Sequence, residues 1–158
     1  MTDPAAPQID IAEARAHLEQ VYDAHAQTFE RFFLARFLDL DFAYLPEAAG
    51  PAEKTSCEIC FPVSDRIMNP QGVVHGGMIA TVMDISMGHL VAKVAGPGAT
   101  IEMKVQYMRP LTEGPARCVG SFTKRGRSLS FMESQVFDPQ ERLVAQASAT
   151  WKMPEGGA

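Results

Sequence analysis

The stretch from Gly76 to Val94, GGMIATVMDISMGHLVAKV, limits the possible folds more than any other part of the chain. Its length, and the Gly96-Pro97-Gly98 stop that follows, predict one long helix over about Gly76–Val94. A helix apolar around most of its circumference cannot lie on a surface with one side in water; other elements must enclose it on several sides. Four extended stretches follow it, ATIEMKVQYM, ARCVGSFTKR, SLSFMESQVF and RLVAQASATWKM, joined by turn chemistry at Pro110–Pro115, Gly126 and Asp138-Pro139. In the first of these, Thr100, Glu102, Lys104 and Gln106 alternate with Ile101, Met103, Val105 and Tyr107, which predicts a strand with one buried face. The links among the last four stretches are too short for parallel crossovers, so the sheet is expected to be antiparallel and wrapped around the helix, an α+β arrangement.

Ahead of the helix lie two further extended stretches, about Leu38–Leu45 and Lys54–Val63, separated by the turn PEAAGP at 46–51. Before these, from about Ile9 to Phe37, Leu18, Val21, Tyr22, Phe29, Phe32 and Phe33 recur at three- and four-residue steps, as in amphipathic helix in one or two pieces. The expected organisation is a tail and helical extension over 1–37, of which 1–8 is a Pro- and Ala-rich disordered stretch, and a domain over 38–158. At 158 residues the chain suits one core and one site per subunit.

Charge and motif content narrow the function. A net charge of -5 argues against nucleic acid as a partner, because its binders present basic stripes that displace counterions. The N-terminus lacks a basic n-region followed by an apolar core, and Asp84, His89 and Lys93 interrupt the best bilayer-spanning candidate, so a cytoplasmic protein without membrane contact is expected. Cys57 and Cys60 show C-x-x-C spacing, but on a strand they point to opposite faces about 10 Å apart, too far to pair or share a metal. His17, His25 and His89 have no ligand spacing, and G-x-S-x-G, H-E-x-x-H, P-loop and G-x-G-x-x-G motifs are missing. No metal or separate cofactor is expected.

Asp84 is the anomaly. An unpaired buried carboxylate costs several kcal/mol, on the order of what a small domain has to spare, so this acid needs a partner, a wet cavity or a chemical role. Helical neighbours Ala80, Thr81, Ile85, Met87 and Gly88 carry no positive charge. A subunit contact with hydrogen bonds from backbone or Thr81 is one reading. The other starts from Gly76 and Gly77, whose N–H groups stand bare at the positive end of the helix dipole, where they can polarise a carbonyl and hold the oxyanion formed on attack. With its side chain leaning back towards the helix start, Asp84 would reach such a carbonyl if the substrate enters along the helix.

Taken together, Asn69, His75-Gly76-Gly77 and Asp84, in the pattern N-x5-HGG-x6-D, resemble the signature of hotdog-fold acyl-CoA thioesterases of the phenylacetate-degradation (PaaI-like) type, and GATIEMKVQYMRP resembles the strand after their central helix. The resemblance covers about Leu38–Met153. It implies a hotdog fold in which Asp84 is the nucleophile or the general base for water. Gly76 or Gly77 would hold the thioester oxygen, Gly76 being favoured because the family's donor follows the His. Asn69 would place a side-chain amide near the thioester or water, unless it merely caps a turn before Pro70. His75 would orient the loop and helix start. Thr100 matches a hydroxyl residue that helps to place water and, in some members, comes from the partner subunit. A homodimer with shared sites, or a tetramer of two such dimers, is implied.

Lys124, Arg125 and Arg127 in TKRGRS, and Arg109 before another turn, either hold the phosphates of coenzyme A, here part of the substrate, or are solvated hairpin residues. Met78, Met83, Met87, Met103 and Met108 either line an adaptable acyl pocket or are plain core. The expected activity is hydrolysis of an acyl-CoA thioester to the acid and coenzyme A. The alternatives are a non-catalytic acyl-CoA sensor and a hotdog hydratase or dehydratase.

Overall fold

The computed structural model describes residues 8–45 and 55–155; the expected turn at 46–51 and nearly all of the expected tail lie outside the described residues. Asp10 starts the first helix, α1 (Ile11–Ala24), by accepting from the amides of Ala12 and Glu13 at 2.9 and 3.0 Å, two of the donors every helix leaves unpaired. A short second helix, α2 (Phe33–Phe37), follows, so the leading periodicity is indeed split in two. Strands β1 (Asp41–Leu45) and β2 (Ser56–Phe61) precede the long helix α3 (Gly76–Ala95), and β3 (Ala99–Tyr107), β4 (Ala116–Lys124), β5 (Leu129–Phe137) and β6 (Leu143–Lys152) come after it.

The six strands form one antiparallel sheet in the order β1-β2-β4-β5-β6-β3. Period-two alternation turns Cys57, Ile59, Phe61, Cys118, Met132 and Val136 inward, and all are at most 2% exposed. They meet Val82, Met83, Met87, Leu90 and Val91 of α3, each at most 1% exposed, and full burial of such side chains stabilises by roughly 1.5–3 kcal/mol apiece. Helix and sheet approach closely at Gly120, where a Cβ would stand 2.6 Å from Ser86 Oγ. By length and composition α3 could cross a bilayer, although its three polar residues were expected to exclude that; here it is the helix inside the sheet. Its apolar circumference is matched by the wrap.

The leading segment docks on this core: Val21, Ala35 and Leu38 are buried, and Arg66 reaches Glu13 at 3.5 Å and Asp39 at 3.6 Å. Cys57 is buried and Cys60 only partly so, on opposite faces of β2, and all three cysteines are free. Burial pushes the Cys57 thiol up to about 12 and Cys118 up to about 11, which leaves both inert as nucleophiles.

Strand β3 departs from the expectation. Its apolar side is not buried: Ile101 and Tyr107 are 56% and 52% exposed, while Met103 and Val105 are partly covered. The physical reason is position. A strand at the end of the sheet order has a neighbour on one side only, so alternation sets which side chains share a face but does not supply their cover.

Candidate active site

Asp84, one turn before Gly88 on α3, is half-buried and accepts a hydrogen bond from Thr100 Oγ1 at 2.7 Å. The carboxylate therefore has its partner within the same chain. Simple alternation would put Thr100 on the outer face with Glu102, Lys104 and Gln106. A β-bulge prevents that: Thr100 pairs with Trp151 and Glu102 with Thr150, so Ile101 is an extra residue and Thr100 is turned to the helix side of the sheet.

Beside Asp84 is an open cavity of about 440 Å³ whose walls include Phe29, Phe32, Ile85, Gly88, His89 and Trp151. Two of these come from the connector between α1 and α2. Phe29 and Phe32 set their rings 5.6 and 6.1 Å from that of His89, while Phe42 stacks on it at 4.0 Å. Burial lowers the His89 pKa, with the nearby Glu30 charge and the Phe29 carbonyl opposing the shift, so the ring is held neutral. Tyr44 Oη lies 3.3 Å from His89 Nδ1, and burial, with smaller contributions from Cys57 and Glu30, pushes that phenol up to about 12.

The start of α3 is organised separately. His75 caps the helix by accepting from the Gly77 amide at 3.0 Å through Nδ1, which commits that N–H. Among the described residues the Gly76 amide makes no hydrogen bond, and it is the bare donor at the positive end of the helix. Asn69 Oδ1 accepts from the amides of Gln71 and Val73 at 2.9 and 3.4 Å and so holds the loop; its amide nitrogen makes no bond among the described residues. Tyr107, at the far end of β3, donates to the Gly76 carbonyl at 2.8 Å and lays its ring where a Cβ on residue 76 would stand 3.3 Å away. A second cavity, about 340 Å³, joins Asn69, Gly76, Ile79, Tyr107, Met108 and Arg109.

Within one chain the two groups stand apart. Asp84 follows Gly76 by eight residues and Gly77 by seven, roughly 10–12 Å along the axis, and the two cavities share no lining residue. The expectation that Asp84 leans back to a carbonyl at its own helix start is not what a single chain displays; Thr100 holds the carboxylate instead.

The basic residues are also divided. Arg109 donates to the Leu143 carbonyl at 2.6 Å at the rim of the Gly76 cavity. Arg125 donates to the Val94 carbonyl at 3.2 Å, which satisfies the C-terminal end of α3, and Lys124 and Arg127 stand exposed beside it. Arg109 and the 123–128 turn thus serve opposite ends of a 20-residue helix, about 30 Å long. Met83 and Met87 are core and Met108 lines the Gly76 cavity; no methionine lines the Asp84 cavity. Tyr107, Phe29, Phe32, His89 and Trp151 were not assigned to the site from sequence. Only the aromatic content of the leading segment hinted at any of them.

A bare amide at a helix start, a carboxylate held by a threonine, and a sheet curled around the helix define a hotdog-fold protein equipped for carbonyl chemistry. The sequence profile described as Thioesterase superfamily matches residues 71–145. Acyl-coenzyme A thioesterase 13 of Mus musculus is 29% identical over 107 residues, 65% of this chain and 74% of its own length. Among solved structures, BH2602 of Bacillus halodurans, a structure with CoA, superposes with a TM-score of 0.72 at 21% identity, covering 89% of this chain and 88% of its own. The E. coli PaaI protein of the phenylacetic acid degradation operon superposes at 0.69 and 14% identity, covering 92% and 96%. At those identities the two structures speak to the fold. With the profile match, the chain is similar to thioesterase-superfamily proteins over 71–145 and shares the hotdog fold of the solved structures.

Proposed function

We propose that this protein hydrolyses acyl-coenzyme A to the free acid and coenzyme A at sites built from two copies of the chain. The observation that carries the reading is the Thr100–Asp84 hydrogen bond on one cavity and the unpaired Gly76 amide on another. Strand β3 links the two groups, with Thr100 at its beginning and Tyr107 at its end, and it lies at the edge of the sheet. Antiparallel pairing of β3 with the same strand of a second copy, across a two-fold axis, sets the Thr100 end of one against the Tyr107 end of the other. Asp84 of one subunit then faces the Gly76 amide of its partner. Such a pair has two sites, each shared, and two pairs could assemble further into a tetramer.

At such a site the Gly76 N–H and the Asn69 amide hold the thioester oxygen, and the amide dipole stabilises negative charge as the carbonyl carbon becomes tetrahedral. Asp84 either attacks that carbon or removes a proton from the water that does; collapse expels the coenzyme A thiolate, which takes up a proton, and in the first case water then cleaves the resulting Asp84–acyl anhydride to release the acid and restore the carboxylate. Thr100 fixes the carboxylate oxygen that does not react. His75 acts through the helix start, not on the substrate. Exposed Lys124 and Arg127 are the cations of this set with no protein partner among the described residues and are available to coenzyme A phosphates. No step of this reading uses a metal, and it assumes a cytoplasmic pool of coenzyme A.

The test is thiol release from a panel of acyl-CoAs by the wild type and by Asp84→Asn, which preserves shape and removes the base. A loss of at least about 100-fold in turnover is expected. Unchanged turnover in Asp84→Asn would remove this acid from the mechanism.

A further inference from the structure

Residues 25–32, the connector between α1 and α2, are far in sequence from Asn69, Gly76 and Asp84, yet they form part of the wall of the cavity beside Asp84. The bonds that shape the connector lie within it and at its foot. The Ala26 amide donates to the Arg31 carbonyl at 2.8 Å, the Phe32 amide to the Thr28 carbonyl at 3.0 Å, and the Arg31 guanidinium to the Ala24 carbonyl at 2.6 Å. A loop that satisfies its own backbone groups in this way has a defined shape from which to present side chains. It sets the rings of Phe29 and Phe32 at 5.6 and 6.1 Å from that of His89 on α3. Phe32 is partly covered and packs against the core, whereas Phe29 is 47% exposed although it lines the cavity. A phenyl ring left half in water at the wall of a pocket is apolar surface whose covering favours binding of whatever provides the cover.

The direction of the cavity identifies that cover. On α3 its lining residues are Asp84, Ile85, Gly88 and His89, one stripe of the helix, and none precedes Asp84. The space therefore leaves the acid towards the C-terminal end of the helix. No lysine or arginine lines it among the described residues, so it lacks the groups that hold coenzyme A phosphates. Of the two halves of a thioester whose carbonyl stands at Asp84, the apolar acyl chain is the one that fits.

We propose that the connector is a specificity element: Phe29, together with Phe32, contacts the distal part of the acyl chain and selects chains long enough to reach it. The inference rests on the thioesterase reading above. His89, against which both rings stand, follows Asp84 by five residues, about 7.5 Å along the axis. At an advance of roughly 1.3 Å per carbon–carbon bond of about 1.5 Å, a chain that starts from a carbonyl at Asp84 covers this distance with about six carbons. Acetyl stops well short, and octanoyl reaches the rings. Gly88, between the two ends, has no side chain to block the path. The leading segment thereby acquires a role in the choice of substrate.

The experiment measures kcat/KM for straight-chain acyl-CoAs from acetyl to decanoyl with the wild type, Phe29→Ala and Phe29→Leu, beside a thermal melt of each protein. The wild-type value should rise from acetyl to octanoyl. Half-exposed Phe29 adds little to the core, so Phe29→Ala should fold; it should lower kcat/KM for octanoyl-CoA by about tenfold, the worth of roughly two methylenes of apolar contact, and leave acetyl-CoA unchanged. Phe29→Leu, smaller but still apolar, should lose less, and it carries the same comparison if Phe29→Ala melts too low to assay. A merely structural role for Phe29 would lower all chain lengths alike. A wild type that prefers acetyl-CoA to octanoyl-CoA, or a length profile that the variants leave unchanged or scale uniformly, overturns the proposal. If no acyl-CoA releases thiol, the hydrolase reading fails by itself, and dissociation constants for the same series decide the connector. Tighter binding of octanoyl-CoA that is lost in Phe29→Ala keeps it as the acyl-chain contact, and binding indifferent to Phe29 sinks it.

Discussion

A Cβ on Gly88 would stand 2.9 Å from Trp151 Cη2, closer than side chains tolerate without a shift. Trp151 is 4% exposed and has little room to yield. Overpacking of this kind costs about 1–3 kcal/mol, and the better helix propensity of alanine returns up to about 1. Gly88→Ala should therefore lower Tm by a few degrees, on the order of 2–4 °C per kcal/mol in a chain of this size, and reduce kcat/KM most for the bulkiest acyl groups. Thermal melts and the substrate panel check both. At this scale the sequence was partly legible. Asp84 stood out because an acid on so apolar a helix demands an explanation, and Gly76 because the family's donor follows His75. His89 looked like a scattered histidine, since nothing in its spacing reports that Tyr44 and Phe42, from another strand, would meet it.

Among elements, the extended stretches and α3 were readable to within two or three residues, because period-two and all-round apolar patterns survive in one dimension. What was not readable is the bulge at Ile101. One inserted residue moves Thr100 from the outer face to Asp84, and both faces of an edge strand tolerate the same residue types, so no pattern marks it. The β5–β6 connection makes a separate prediction. Asp138 is buried, which by itself raises its pKa, but backbone and side-chain hydrogen bonds from Arg142, at 2.9 and 2.7 Å, and from the Gln140 amide at 3.0 Å prevail and hold it below the ordinary value. A carboxylate with a depressed folded pKa stabilises fully above its unfolded value and loses that contribution as pH falls through the folded one. Asp138→Asn should therefore melt lower than the wild type at neutral pH, with the gap between their Tm values closing below about pH 4. A gap that stays constant down to acid would mean that the turn does not depend on this charge.

For the whole molecule the edge strand is decisive. Ile101, Tyr107 and Met108 are 56%, 52% and 43% exposed along or next to β3, a liability for a lone chain and the seam of the proposed pair. Ile101→Lys should shift the protein towards monomer in sedimentation, and activity should fall in parallel as protein is diluted. A monomer with full activity per chain would mean that one copy contains a complete site. Arg109 and the 123–128 turn, read together as phosphate contacts, fall at opposite ends of α3; sequence order cannot show which loops share an end of the molecule.

The sequence alone determined a helix that must be enclosed and the antiparallel strands to enclose it, and it marked Asp84 by its isolation, while Asn69, His75, Gly76 and Gly77 were marked through the family resemblance. Local chemistry suffices for the helix, the strands and the isolated acid, since burial pattern and a lone charge are properties of neighbours in the chain. Only the tertiary structure decided that Thr100 faces Asp84, that the acid and the bare amide occupy separate cavities, and that the leading segment walls one of them. Those outcomes depend on which strand lies at the edge, where a ladder slips by one residue, and how a connector docks, and each is settled by packing between residues distant in sequence.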